Sequence, residues 1–172
     1  MSEPFTAPTR VPPAVRRAGD HVLEQAEGAL RARHWREAER LCRQVLRVDP
    51  DHPAGVHLLG RATFRGGHLY DAVSLLRRAV ELDDRQPAWW HDLALAYEAG
   101  DRLAHAADCC RAALRLQPYS VPAIVTLGRS LSGMGLLRDA VAAFAQVLRL
   151  DPDHAEARRR LDQLTDQLRQ AA

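Results

Sequence analysis

Residues 90–118 read WHDLALAYEAGDRLAHAADCCRAALRLQP, and two positions in this stretch recur along the chain at intervals of 34 residues. One recurring position is always alanine, and the other is proline with a single aspartate. The two registers are Ala38, Ala72, Ala106 and Ala140, and Pro50, Asp84, Pro118 and Pro152. Because two interleaved registers hold over four units, the pattern indicates a repeat protein.

The same stretch resembles one repeat family in detail. Its motif is Trp90-x2-Leu93-Ala94-x2-Tyr97, followed by Ala106-x3-Cys110 and Pro118. This spacing is similar to that of the tetratricopeptide repeats, and the resemblance covers about residues 20–171. It implies an all-α fold, a right-handed α-solenoid of four helix–turn–helix units plus a C-terminal capping helix. The units are 19–52, 53–86, 87–120 and 121–154.

The two ends of the chain differ from the repeats. Residues 1–18 contain four prolines, which predicts a flexible leader, and the first helix is expected over about 21–33. Residues 155–172 are predicted to form the capping helix, because their apolar residues share one face and charged residues cover the rest. The apolar residues are Ala157, Leu161, Leu164 and Leu168.

The composition narrows the class of protein. Apolar residues make up 47% of the chain and aromatic residues only 5%, which suits helices packed through Ala and Leu. The net charge of +2 gives no argument for binding nucleic acid or an anionic membrane surface. All 24 basic residues are arginine and the chain has no Asn, which indicates a GC-rich, bacterial genome.

The cysteines and the N-terminus indicate a cytoplasmic protein. Cys42 and Cys110 occupy equivalent apolar places, so they are expected to act as small hydrophobic residues. A redox role for the adjacent Cys109 and Cys110 is the alternative. Residues 1–18 lack the apolar core of a secretory signal, and no apolar run is long enough to span a membrane.

The sequence contains no pattern typical of catalysis. It has no Gly-rich phosphate loop, HExxH, CxxC or GxSxG, so no enzyme activity and no cofactor are predicted. His57 and His91 lie 34 residues apart and Asp92 follows, which is the strongest candidate for a metal site. Since the spacing specifies no further ligand, no metal is predicted.

The resemblance implies that the first helix of each pair lines a concave groove. Carried over by register, the exposed inner places of the last three units form the predicted partner-binding site. They are His57, Arg61, Phe64, Arg65, His91, Asp92, Leu95, Glu98, Val125, Thr126 and Arg129. Unit one adds Asp20, Leu23, Glu27 and Arg31.

The leading hypothesis is an adaptor that binds a peptide or helix of another protein in this groove. Some members of the family clamp C-terminal carboxylates with Lys and Asn, and this chain contains neither. Arg61 and Arg129 replace them in charge and favour an acidic peptide, or else they are solvated residues of an Arg-rich chain. Charge reversal at both is expected to weaken binding and leave the helices intact.

Two alternatives remain open at this stage. One is a self-assembling scaffold, a homo-oligomer, for which an exposed Trp89 beside Trp90 would be the contact. A purely structural role is also possible for Trp89, in which it packs against the neighbouring unit. The other is the detached targeting module of a larger bacterial enzyme system.

Overall fold

The protein is an all-α solenoid, described here from a computed structural model that covers residues 13–170, with side chains from residue 17. Within that range the chain forms helices in pairs, followed by a single last helix. Their bounds are α1 Pro13–Arg31, α2 Trp35–Leu46, α3 Pro53–Arg65, α4 Leu69–Leu82, α5 Pro87–Ala99, α6 Leu103–Leu116, α7 Val121–Gly133, α8 Leu137–Leu150 and α9 Ala155–Gln170.

The repeat is visible in where the helices begin. First helices begin at Pro53, Pro87 and Val121, at intervals of 34 residues. Proline is favoured there because the first N–H groups of a helix have no partner inside it. In α3 the side chain of His52 also accepts a hydrogen bond from the Gly55 amide at 3.3 Å. The starts of these first helices therefore follow the expected 34-residue period, and proline and local capping stabilise them.

The turn between the two helices of a pair has a common backbone shape. One residue of each turn has a positive φ, and these residues are again 34 positions apart. They are Arg33 at φ 63, Gly67 at φ 88, Asp101 at φ 55 and Gly135 at φ 75. Glycine is the ordinary residue for this conformation, so Arg33 and Asp101 are unusual occupants.

The core is built from contacts between neighbouring helices along the chain. Two glycines allow the helices of a pair to approach closely. A Cβ added to Gly60 would lie 2.9 Å from Leu76 Cγ, and one added to Gly128 would lie 2.9 Å from Phe144 Cζ. At the C-terminus α9 covers the last cluster with Ala157, Leu161 and Leu164, as its amphipathic pattern predicts.

The start of the first helix differs from the sequence prediction. We expected a leader over 1–18 and a helix from about residue 21, whereas α1 begins at Pro13. Proline is compatible with the first turn of a helix, and a proline-rich segment can therefore run directly into one. The remainder of the predicted leader, residues 1–12, and residues 171–172 lie outside the described part of the chain.

All three cysteines are buried free thiols. Burial is the main cause that raises the pKa of Cys42, Cys109 and Cys110, each to about 12. A protonated, buried thiol is a poor nucleophile, so the interpretation of Cys42 and Cys110 as small hydrophobic residues agrees with their environment.

A search of the described helices for a segment long and apolar enough to cross a bilayer found none.

Candidate partner-binding groove

The first helices form the inner layer of the solenoid. Helix α1 contacts α3, α3 contacts α5 and α5 contacts α7, whereas no comparable contact joins successive second helices in the described residues. In a curved stack, the layer whose members lie closer together is on the inside of the curve. We call the surface of α1, α3, α5 and α7 that faces away from the second helices, on the inside of the curve, the inner face.

One ion-pair network crosses the inner face over the first three units. Arg61 Nε lies 3.5 Å from Asp92 Oδ2, and Arg61 Nη1 lies 4.0 Å from Glu27 Oε1. The same Asp92 oxygen is 2.8 Å from His57 Nε2. Asp92 therefore balances the charge of Arg61 from the neighbouring helix.

A second ion-pair network joins α5 and α7 to the capping helix α9. Arg129 donates from Nε and Nη2 to the two carboxylate oxygens of Glu98, at 2.8 and 2.7 Å. Its Nη1 also lies 3.6 Å from Glu156 Oε1 on α9. The hydrogen bonds that Arg129 donates to Glu98 are the main cause that raises the pKa of Arg129. The guanidinium is thus held by two carboxylates of its own chain.

These pairs change the interpretation of the two groove arginines. The sequence offered Arg61 and Arg129 as free cations for an acidic peptide, and both are paired within the protein. Reversing the charge of Arg129 would place a third carboxylate beside Glu98 and Glu156. We therefore expect charge reversal at Arg129 to lower stability as well, so this variant would not test binding alone.

Four predicted groove residues are not exposed. Leu23, His57 and Val125 each retain 5% of their accessible surface and Thr126 retains 2%. Leu23 and Val125 belong to hydrophobic core clusters, which explains their burial. His57 and Thr126 lie where adjacent first helices meet, and each is hydrogen-bonded to a residue of the neighbouring unit. The expected exposure of these four residues is wrong.

The joint between units two and three contains an aromatic stack. The His57 ring lies on Trp89, with ring centroids 4.7 Å apart and an angle of 17° between the planes. Burial is the main cause that lowers the pKa of His57, against the opposing effect of its hydrogen bond to Asp92. One face of Trp89 therefore packs against the neighbouring unit, and the side chain is half-buried.

The next joint repeats the arrangement with a different partner. His91 Nε2 lies 3.1 Å from Thr126 Oγ1, and that hydroxyl donates to the Pro122 carbonyl at 3.0 Å. Since the hydroxyl hydrogen is used, His91 donates from Nε2. Burial is again the main cause that lowers its pKa. His57 and His91 thus engage different partners, and within the described residues no three His, Cys, Asp or Glu side chains form a metal-binding group.

Lowering the pH from 8 to 5 should reduce the free energy of unfolding, by up to about 1.4 kcal/mol per pH unit for each of His57 and His91. Their pKa values lie below the ordinary one in the folded protein. As the pH falls through about 6.5 the unfolded chain binds protons first, which favours unfolding until the folded histidines titrate too. Urea unfolding at a series of pH values measures the slope.

The control for this prediction is the variant His57→Gln/His91→Gln. Glutamine keeps a hydrogen-bond donor but does not titrate, so the variant should show a shallower slope between pH 8 and 5. An unchanged slope in the variant would assign the pH dependence to other groups.

Of the predicted groove residues in the last three units, four keep exposed surface away from the ion pairs of Arg61 and Arg129. Arg65 is exposed, and Phe64, Leu95 and His91 are half-buried. Asp92 and Glu98 are also half-buried, but both are engaged with neighbouring side chains. The surface available to a ligand is therefore centred on Phe64, Arg65 and Leu95.

A pocket that the register does not indicate lies at one end of the inner face. Its volume is about 440 Å³, and four arginines and two apolar residues line it. The lining residues are Leu30, Arg31, Arg33, Trp35, Arg61 and Arg65. Arg33 belongs to the turn between α1 and α2 and Trp35 is the first residue of α2, so both lie outside the first-helix register. One feature of the sequence indicates the pocket. Arg33 occupies a turn position that is glycine in units two and four.

Comparisons with known proteins agree with this architecture. Two family models, both described as tetratricopeptide repeat, match residues 29–96 and 125–161. A search of curated proteins returned no match.

Three solved structures illustrate the likeness of fold. MamA is 22% identical over 82% of each chain, with a TM-score of 0.77. YrrB, described as a TPR protein with an unusual peptide-binding site, is 16% identical over 91% of this chain and 84% of that chain, with a TM-score of 0.78. The first TPR of Spaghetti (RPAP3), bound to the HSP90 peptide SRMEEVD, is 22% identical over 67% of this chain and 92% of that chain, with a TM-score of 0.65.

Proposed function

The chain belongs to the tetratricopeptide-repeat proteins, and from that premise we propose that it is a non-enzymatic adaptor. It binds a peptide or helical segment of a partner protein on its inner face. Two neighbours in fold are described with peptides or a peptide-binding site, which supports this class of function.

The observation that carries the proposal is the curved layer of first helices with accessible apolar side chains. Phe64 on α3 and Leu95 on α5 are both half-buried, so each retains surface for a ligand. The charged pairs beside them, Arg61 with Asp92 and Arg129 with Glu98, are internally balanced. Apolar contacts therefore supply the affinity at the centre, and the balanced pairs form a polar border.

Replacing Leu95 with glutamate should weaken binding of a groove ligand at least about tenfold, because a charge would replace an apolar contact at the centre of the site. The ligands are peptides selected from a random phage-displayed library on the wild-type protein. Their affinities for wild type and variant are compared by isothermal titration.

The matched control is Leu116→Glu. Leu116 is an exposed leucine at the end of α6, on a second helix, and its side chain is 45% exposed. The same substitution there should leave the affinity within about twofold. Thermal unfolding of both variants checks that the fold persists. Selected peptides that bind Leu95→Glu as tightly as wild type would remove the apolar centre of the inner face as the site.

A further inference from the structure

We propose that the pocket between the end of α1 and the end of α3, the arginine pocket, binds the carboxylate side chains of an acidic segment in the partner. The inference rests on the proposed function, and it adds the chemistry of the partner and the end of the groove that reads it. The pocket has a volume of about 440 Å³, with Arg31, Arg33, Arg61 and Arg65 at its edges and Leu30 and Trp35 among its lining residues.

Two of the arginines are partly neutralised. Glu27 Oε1 lies 3.9 Å from Arg31 Nη1 and 4.0 Å from Arg61 Nη1, so one carboxylate serves both. Asp92 adds a contact to Arg61 at 3.5 Å. These distances are long for hydrogen bonds, so the two guanidinium groups retain donors for a ligand.

The other two arginines are not neutralised. Within residues 17–170, Arg33 and Arg65 have no ion pair and no side-chain hydrogen bond, and both are exposed. Arg129, at the other end of the inner face, is by contrast held by both oxygens of Glu98. The uncompensated positive charge of the inner face therefore lies at the arginine pocket, which is complementary to an acidic segment.

The backbone at Arg33 supports a role for its side chain. Arg33 has φ 63, and the equivalent residues of units two and four are Gly67 and Gly135. A side chain in this conformation is disfavoured relative to glycine. The turn therefore holds an arginine where the fold favours glycine, and the side chain it gains faces the pocket.

The arrangement suits several carboxylates better than one phosphate. The four arginines come from three different elements, namely α1, the following turn and α3. Each planar guanidinium can bind one carboxylate through two parallel hydrogen bonds. Leu30 and Trp35, which also line the pocket, offer contact for the methylene groups of glutamate side chains.

The test compares binding of a fluorescein-labelled hexaglutamate peptide to wild type and to Arg33→Gln/Arg65→Gln, by fluorescence anisotropy at about 0.15 M salt, where nonspecific attraction is screened. We expect the variant to bind at least about tenfold more weakly. The control is Arg115→Gln/Arg138→Gln, which removes the same charge from exposed arginines of α6 and α8. It should bind within about twofold of wild type.

Two outcomes would overturn the proposal. One is an equal loss in both double variants, which would assign binding to overall charge. The other is release of the peptide by millimolar inorganic phosphate but not by chloride at equal ionic strength, which would make the pocket a phosphate site.

A single variant separates binding from stability. Arg33→Gly should weaken hexaglutamate binding and at the same time leave Tm unchanged or raise it by up to ~3 °C, because glycine suits the turn. Weaker binding together with a lower Tm would point to a structural role for Arg33 and contradict the proposal.

Failure of this inference differs from failure of the proposed function. Selected peptides that depend on Leu95 but neither carry acidic residues nor respond to Arg33→Gln/Arg65→Gln would overturn the acidic partner and leave the adaptor. Hexaglutamate binding that needs Arg33 and Arg65, with no peptide that depends on Leu95, would keep the arginine pocket and remove the apolar groove.

Discussion

Replacing Gly128 with valine should lower the free energy of unfolding by about 2–3 kcal/mol. A Cβ at residue 128 would lie 2.9, 3.0 and 3.1 Å from three ring atoms of Phe144. Phe144 has no accessible surface, so its ring has no open space to move into. Valine adds two further methyl groups, and the two helices of unit four must separate. Urea unfolding followed by circular dichroism measures the loss.

The matched control is Gly28→Val in α1. A Cβ at residue 28 meets no heavy atom within 4 Å, so the substitution changes helix propensity alone. It should change the free energy of unfolding by less than about 0.5 kcal/mol. Since valine has a higher helix propensity than glycine, equal losses at Gly28 and Gly128 would show that the contact with Phe144 does not set the cost.

The fold was predictable because its information is periodic. The 34-residue registers of Ala106 and Pro118 locate every pair of helices, and the starts at Pro53 and Pro87 follow from the same count. The beginning of α1 at Pro13 was not predicted, because proline is compatible both with an irregular leader and with the first turn of a helix. Short-range rules of this kind need no knowledge of side-chain positions.

The candidate site was less predictable because side chains meet diagonally between units. His57 contacts Asp92, 35 residues away, instead of its register equivalent His91. Glu98 contacts Arg129, 31 residues away. A register places residues on a face, but the length of each side chain decides which residue of the next helix it reaches. The sequence therefore identified Arg61 and Arg129 as groove residues without showing that both are paired.

This pairing gives the inner face an uneven charge. The centre is balanced by Asp92 and Glu98, whereas the end at Arg33 and Arg65 is positive. A segment with one acidic end would therefore bind in a single direction, because reversal would bring its acidic end to the balanced region. Under the two proposals, apolar contacts at Leu95 would add to affinity alone, whereas the charge at Arg33 would add to affinity and also set the orientation of the segment.

Replacing Arg129 with methionine should lower the free energy of unfolding by about 2 kcal/mol. The Arg129 side chain is only 28% exposed, and Glu98 and Glu156 are 21% and 33% exposed, so the two carboxylates would be left close together and poorly hydrated. The variant Glu98→Gln/Arg129→Met should lose less stability, because it removes one of the two unpaired carboxylate charges.

The variant Arg40→Met is the control for exposure. Arg40 donates two hydrogen bonds to the carboxylate of Glu37, at 2.9 and 2.6 Å, as Arg129 does to Glu98, but on the protein surface. Its replacement should leave Tm unchanged. Urea unfolding of the three variants gives the comparison. The contrary result is a double variant that is less stable than Arg129→Met because the change at Glu98 adds its own cost. It would mean that the guanidinium acts through packing, and not through the charge of its two carboxylate partners.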